Sequence, residues 1–216
     1  MGRRESPTVS CAPALAELVK WLREQRSRTG LTYRELGRRA GCAATTLQRA
    51  ASGRTIPRRS VVEAYAWACG GSVDEAVQLW KRARYAERRS QRIGPTVLPP
   101  QPELIHDVAE LSAALLEAWE RAGAPSLRTM EAQAGGFGAL PRTTLQRIIS
   151  KQAVPRSMGQ FEAMLRACEI PEPERQTWLH AYARVWKSHR EGHDFGIAYT
   201  WHSPHGPLES QVRTQV

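Results

Sequence analysis

Apolar side chains recur three and four residues apart along most of the chain, as in helices that bury one face. Leu15, Leu18 and Leu22 show this spacing near the start of the sequence, and Leu111 and Leu115 show it again later. No segment alternates apolar and polar residues as a half-buried strand would. The pattern therefore predicts an all-α fold.

Capping signals divide the first part of the chain into five predicted helices. The helices cover about residues 13–28, 32–40, 44–51 and 60–69, with a fifth that starts near residue 72 and carries Trp80. Gly30 and Gly41 are expected to end the first two helices. Three capping boxes, in which side chains bind the unpaired amides of the first turn, are expected to open the second, fourth and fifth: Thr32–Glu35, Ser60–Glu63 and Ser72–Glu75.

A proline-rich segment separates this part from a second one of similar organisation. Four prolines fall within residues 94–102, which excludes a helix and predicts an extended linker. Five helices follow, over about residues 104–122, 126–134, 141–150, 157–168 and 172–189. Pro141 is expected in the first turn of its helix, and Ser157 with Gln160 forms another capping box. The predicted organisation is a first domain over 1–92, a linker over 93–102, a second domain over 103–190 and an irregular tail over 191–216.

The pentapeptide Thr-Thr-Leu-Gln-Arg occurs twice, as Thr45–Arg49 and as Thr143–Arg147, with an offset of 98 residues. Ile56–Arg58 and Val154–Arg156, each with a central proline, follow the two copies at the same offset. Such an internal repeat predicts that one folding unit is present twice. An exposed face of Thr, Gln and Arg on a short helix contributes little to a core and is suited to reading DNA.

The formal net charge of +10 is unevenly distributed. Residues 1–100 hold 19 basic and 8 acidic residues, a net charge of +11, whereas residues 101–216 hold 12 and 13, a net charge of −1. The first part is therefore expected to attract polyanions at long range.

The cysteines and tryptophans point to an intracellular protein with helical cores. The cysteines show no CxxC spacing and are expected to be buried free thiols in a reducing cytoplasm: Cys11, Cys42, Cys69 and Cys168. No apolar run is long enough to span a membrane, and we expect a cytoplasmic, nucleoid-associated location. Six tryptophans are expected in the core or between the modules: Trp21, Trp67, Trp80, Trp119, Trp178 and Trp186.

A helix, a sharp turn at a glycine and a second helix form the geometry that places the second helix in the major groove of DNA. Small and apolar residues suit the crossing of the two helices: Leu36, Gly37, Ala40, Leu47 and Ala50. The outward face of the predicted third helix then carries the expected base readers Ala44, Thr45, Gln48 and Arg49. Phosphate contacts are expected from residues near the helix ends: Thr32, Tyr33, Ser52, Arg54, Arg58 and Arg59.

These residues resemble a known family, the helix-turn-helix of the Cro and lambda-repressor type (Xre family). The resemblance lies in Leu31–Gly41, Thr45–Arg49, Ser52–Arg54 and Pro57, and it covers residues 13–88. It implies a five-helix DNA-binding regulator whose third helix is the recognition helix. Ala43 departs from the family pattern, because a hydroxyl-bearing cap usually precedes that helix.

The second copy of the repeat differs in its turn. Glu131 aligns with Gly37, and residues 136–139 are additional between the two helices. Its expected base readers are Arg142, Thr143, Gln146 and Arg147. Its expected phosphate contacts are Ser126, Lys151 and Arg156.

Other chemistry has little support. His189 and His193 have the spacing of a helical metal pair, but no cysteine or carboxylate cluster completes a site. The glycines of 135–138 lack the Lys-Ser/Thr ending of a phosphate-binding loop. No local motif combines a nucleophile with a base, and we expect no cofactor, no metal and no enzymatic activity.

The sequence thus predicts a bacterial, sequence-specific regulator of transcription that binds double-stranded DNA through tandem recognition helices. The two faces are expected to read related but unequal half-sites about one helical turn, roughly 34 to 36 Å, apart. Two alternatives remain open. In one, only the first domain binds DNA and the second forms a homodimer or binds a partner protein. In the other, the chain is an adaptor or antitoxin-like protein whose helical surface binds another protein.

Overall fold

The computed structural model describes residues 12–91 (the first half) and residues 99–135 and 138–191 (the second half), with backbone alone for 189–191. The described residues form α-helices and one short 3-10 helix and contain no strand, which confirms the all-α prediction. The helices of the first half are α1 (Pro13–Thr29), α2 (Tyr33–Ala40), α3 (Ala44–Ala50), α4 (Arg59–Ala68) and α5 (Val73–Ser90). The second half has the 3-10 helix Pro102–Leu104 and then α6 (Val108–Arg121), α7 (Leu127–Gln133), α8 (Arg142–Ile149), α9 (Met158–Ala167) and α10 (Glu172–Glu191).

Local signals set most helix ends in the first half. Thr32 Oγ1 accepts a hydrogen bond from the Glu35 amide at 3.3 Å, and Glu35 Oε2 accepts one from the Thr32 amide at 2.9 Å, so the predicted capping box is present. Ser72 caps α5 by accepting from the Glu75 amide at 3.2 Å, but the Glu75 side chain makes no return bond to the Ser72 amide, so this predicted box is half formed. Gly41 ends α2 with a φ of 62°, a left-handed conformation that glycine adopts without strain.

Two predicted helix starts are wrong by a residue. α4 begins at Arg59 with Arg58 as its N-cap and no side-chain cap hydrogen bond, so Ser60 does not open it. The Glu63 carboxylate accepts a hydrogen bond from Arg59 Nε at 2.8 Å, which takes it away from the predicted capping role. Pro141 is the N-cap of α8 and does not lie in the first turn.

The start of α6 and the cap of α9 also differ from the prediction. α6 begins at Val108, later than the predicted residue 104, because Asp107 caps it by accepting from the Glu110 amide at 2.7 Å. Ser157 caps α9 by accepting from the Gln160 amide at 3.2 Å. The Gln160 side chain, however, accepts a hydrogen bond from the amide of Arg156, so the predicted box is half formed.

Each half encloses its own cluster of buried apolar side chains. The cluster of the first half includes Leu15, Leu18, Leu22, Leu36, Leu47, Val62, Tyr65 and Trp80. The cluster of the second half includes Leu111, Leu115, Met130, Leu145, Phe161, Trp178 and Tyr182. The two halves meet where α5 packs against α6.

One tryptophan contradicts the expectation of burial. Trp67 is 68% exposed, because Val62, Tyr65 and Ala66 take the buried side of α4 and position 67 faces away from it. Trp186 is partly buried. The remaining predicted tryptophans are buried: Trp21, Trp80, Trp119 and Trp178. The described cysteines Cys42, Cys69 and Cys168 are free thiols; Cys168 is buried as predicted, whereas Cys42 and Cys69 are only partly buried.

Some predictions fall on residues that the structure does not describe. These are Cys11, most of the linker, two of the four additional residues at 136–139, and the tail after residue 191. Of the predicted metal pair, His193 and the His189 side chain are likewise outside the described part. None of the described helices combines the length and the apolar character needed to cross a membrane.

Candidate nucleic-acid interface

The crossing of α2 and α3 depends on the absence of a side chain at Gly37. A Cβ atom there would lie 2.7 Å from the carbonyl oxygen of Cys42 and 3.2 Å from the amide nitrogen of Ala44. Leu36 and Leu47 are fully buried on either side of this contact. The small residue and the two apolar anchors therefore fix the angle at which α3 leaves the turn.

The outward face of α3 carries the residues predicted to read bases. Thr45, Gln48 and Arg49 are exposed, and Ala44 is half-buried at the start of the helix. Within the described part of the chain, the side chains of Gln48 and Arg49 form no hydrogen bond or ion pair. Their donors are thus available to a ligand that approaches this face.

Several of the predicted phosphate-binding residues of the first half surround α3. Thr32 caps α2, and the Tyr33 ring stacks under the Arg26 guanidinium at 4.6 Å. Ser52 Oγ donates to the Arg49 carbonyl at 2.7 Å and accepts from the Arg54 amide at 3.3 Å, which orders the exit of α3. The Arg54 and Arg58 side chains are exposed.

Arg59 lies in a different environment from the one predicted. Its guanidinium contacts Glu63 at 2.8 Å and Glu169 of the second half at 2.6 Å. A cation already paired with two carboxylates is a poor partner for a phosphate. The structure therefore gives Arg59 an internal role, since its charge is neutralised inside the protein.

The second half presents a related but altered face on α8. Thr143 and Arg147 are exposed like their counterparts on α3. Gln146 Nε2 donates to Ser150 Oγ at 2.9 Å, and Arg142 Nε forms an ion pair with Glu131 of α7 at 2.9 Å. Two of the four predicted base readers are thus already engaged by neighbouring side chains.

The predicted phosphate contacts of the second half are spread around α7 and α8. Ser126 caps α7 by accepting from the Thr129 amide at 3.2 Å. Lys151 is exposed directly after α8, in a left-handed conformation with a φ of 58°. The Arg156 side chain is exposed just before α9. Ser126 and Arg156 lie at helix N-termini, where phosphate contacts commonly form, whereas Lys151 follows the C-terminus of α8.

Sequence reasoning missed a cluster of charges that joins the two halves. Glu169 contacts Arg59 and also Lys81, whose Nζ lies 2.7 Å from Glu169 Oε2. Burial opposes ionisation of this carboxyl, but hydrogen bonds and charge from Lys81 and Arg59 outweigh it and hold its pKa below the ordinary value. A signal for the cluster is present in the repeat, because Glu169 stands where the first copy has Gly70.

A metal centre finds no support in the described part of the chain, where no group of three or more His, Cys, Asp or Glu side chains is placed to hold an ion. Burial raises the pKa of the Cys168 thiol to about 12, so this sulfur is a poor nucleophile and a poor ligand.

Comparison with known proteins gives one match. Residues 14–79 match the family model of a helix-turn-helix domain, a segment that contains α1 except its first residue, α2 to α4 and the first part of α5. No curated protein and no solved structure matches the chain. The matched segment includes Gly37 and the whole of α3, and the match extends no further than residue 79. Over residues 14–79 the chain is therefore similar to helix-turn-helix domains.

Proposed function

We propose that the protein is a sequence-specific regulator of transcription that binds double-stranded DNA, with α3 and α8 as tandem recognition helices in the major groove. The observation that carries this proposal is the outward face of α3, where Gln48 and Arg49 are exposed and form no hydrogen bond or ion pair with other described residues, on the second helix of a helix-turn-helix. Polar groups without internal partners bind a ligand without first breaking a contact.

The chemistry of this face fits base recognition. An arginine donates two hydrogen bonds to O6 and N7 of guanine, a glutamine forms two with adenine, and a threonine methyl contacts that of thymine. Arg49, Gln48 and Thr45 supply these three groups on one short helix. The net charge of +11 over residues 1–100 adds a sequence-independent attraction for the phosphates.

The second half supports the proposal through the repeated pentapeptide. Thr143 and Arg147 are exposed at positions equivalent to Thr45 and Arg49. The ion pair of Arg142 with Glu131 favours the alternative, in which the second half binds a partner protein or a second copy of the chain and leaves DNA binding to the first half.

Selection from random duplexes tests the proposal and separates it from this alternative. The full chain is compared with its Arg49→Ala and Arg147→Ala variants, and with Arg82→Ala as a control that removes the same charge from an exposed site on α5. We expect the wild type to enrich two related elements. Arg49→Ala should relax the sequence preference within one element and Arg147→Ala that within the other. Arg82→Ala should leave both preferences unchanged.

Two other outcomes have clear meanings. Enrichment of one element that Arg147→Ala leaves unchanged assigns DNA binding to the first half alone. If no sequence is enriched, the protein is not a sequence-specific DNA-binding protein.

A further inference from the structure

The two halves are joined by an interface of specific side-chain contacts. The Tyr85 hydroxyl of α5 donates a hydrogen bond to Glu117 of α6, and Arg121 Nε contacts the same carboxylate at 2.9 Å. The Arg88 guanidinium lies 4.5 Å from the centre of the Trp119 ring. Glu117 is 7% exposed, so the interface removes a charged side chain from water; α5 supplies one partner of its Oε1 atom, Tyr85, and Arg121 of α6 itself supplies the other.

A second set of contacts is centred on Glu169, in the turn between α9 and α10. Its carboxylate bridges Arg59 at 2.6 Å and Lys81 at 2.7 Å, and Gln133 Nε2 lies 3.1 Å from it. Lys81 is only 13% exposed. A single carboxylate of the second half thus bridges two cations from two different helices of the first half, and Arg59 also pairs with Glu63.

The position of Glu169 has a direct counterpart in the first half. The Gly70 amide donates a hydrogen bond to the Trp67 carbonyl. The Glu169 amide likewise donates to the Arg166 carbonyl, so the two turns have the same hydrogen-bond pattern. The φ angles are 68° at Gly70 and 53° at Glu169, both left-handed. Glycine is the residue that suits such a turn, and a glutamate there is explained by the two ion pairs it forms across the interface.

The interface is not reciprocal between the two copies of the repeat. In an arrangement with a two-fold axis, a contact of residue i with residue j implies the same contact with the roles exchanged. By the helix alignment, Arg59 corresponds to Met158 and Glu169 to Gly70, and both Met158 and Gly70 are exposed. The exchanged contact is therefore missing.

The contacts of Glu117 show the same asymmetry. The buried positions of α1 and α6 align with an offset of 93 residues, which places Glu24 opposite Glu117. Glu24 is 48% exposed and pairs only loosely with Lys20 at 3.9 Å, whereas Glu117 is covered by α5. The face of α1 that the second half would cover in a two-fold arrangement is therefore exposed.

From this asymmetry we infer that the interface holds α3 and α8 in a head-to-tail relation, so that their half-sites lie on DNA as a direct repeat at one fixed spacing. Glu169 is a positioning residue for that spacing. The inference rests on the proposed function of both helices. The two half-sites of an inverted repeat are related by a two-fold axis, and the joined halves of the protein lack such an axis. The two half-sites of a direct repeat are instead related by a displacement and rotation along the duplex.

Synthetic duplexes test the orientation. The two enriched half-sites are placed on one duplex as direct or inverted repeats, with the spacing stepped by one base pair, and binding of the full chain is measured. We expect one direct spacing to bind roughly a hundredfold more tightly than a single half-site, because both helices then engage one duplex. The affinity of the full chain for every inverted repeat should be about the same as its affinity for a single half-site. A preference for an inverted repeat overturns the inference while the proposed function stands, whereas the absence of any enriched half-site overturns both.

The Glu169→Gly variant tests the positioning role, since it gives the second half the residue of the first at the same turn. We expect it to retain binding to a single half-site and to lose its preference for one spacing. Glu174→Ala is the matched control, because it removes the same charge from an exposed position on α10 and should keep the wild-type preference. An unchanged spacing preference in Glu169→Gly would show that Glu169 does not set the spacing.

Discussion

Arg142 on the proposed recognition helix α8 is held by Glu131 of α7, with 2.9 Å between the guanidinium Nε and the carboxylate. The Arg142 side chain is 60% exposed, so the pair is screened by water and stabilises the fold little, by about 0 to 1 kcal/mol. Its main effect is on the charge that α8 presents to a ligand.

We therefore expect Glu131→Ala to raise the affinity for DNA, roughly severalfold at low salt, and to leave the free energy of unfolding nearly unchanged. Fluorescence anisotropy across a salt series measures the affinity. Glu174→Ala removes an equal charge elsewhere in the second half, and an equal gain in that variant would mean that net charge alone is responsible.

Arg49 and Arg58 are expected to contribute to binding in different ways. Arg49→Ala should cost about 1 to 3 kcal/mol on duplexes with the preferred base pair and little on random duplexes. Arg58→Ala should weaken binding to both by a similar factor and lower the salt slope by about one. Parallel titrations of specific and random duplexes distinguish the two. Equal losses on both duplexes for Arg49→Ala would contradict its assignment as a base reader.

Gly37 is expected to be essential for the stability of the first half. In Gly37→Ala the new methyl group would press on the backbone at Cys42 and Ala44, and overpacking of this kind costs about 1 to 3 kcal/mol. Gly159→Ala is the matched control, because it lies in helix α9 with no atom within 4 Å of the new Cβ. Because Gly159 lies in the first turn of α9, alanine should leave the free energy of unfolding unchanged or raise it slightly. Urea unfolding followed by tryptophan fluorescence measures both changes, and destabilisation by Gly159→Ala alone would refute the packing argument.

The stabilisation from Glu169 is expected to depend on pH. The pKa of its carboxyl is lower in the folded protein than its ordinary value of 4.5, so the unfolded chain binds more protons at acidic pH. The contribution is complete above the ordinary value and is lost as the pH falls through the folded value. Near neutral pH, Glu169→Gln should therefore lower the free energy of unfolding by about 1 to 3 kcal/mol.

That difference from the wild type should shrink as unfolding is repeated at progressively more acidic pH. A difference that is constant with pH would mean that the ionised carboxylate is not what stabilises the interface.

The sequence by itself determined the helices and the candidate face. The apolar spacing, the Thr32 capping box and the glycine turns act within a few residues, so the boundaries of α1 to α3 follow from local chemistry. The repeated pentapeptide, with one buried leucine among polar neighbours, placed Gln48 and Arg49 on an outward side. These properties need no knowledge of distant residues.

The tertiary structure alone decided how the two copies are joined. The exposure of Trp67, the pairing of Arg59 with Glu169 and the cover that α5 gives to Glu117 depend on residues up to 110 positions apart. Local signals around Arg59 and Ser60 even favoured a cap that the structure does not form. Which cations remain available to a ligand is set by the partners that folding brings to them, and chain-distant carboxylates are not visible in a local pattern.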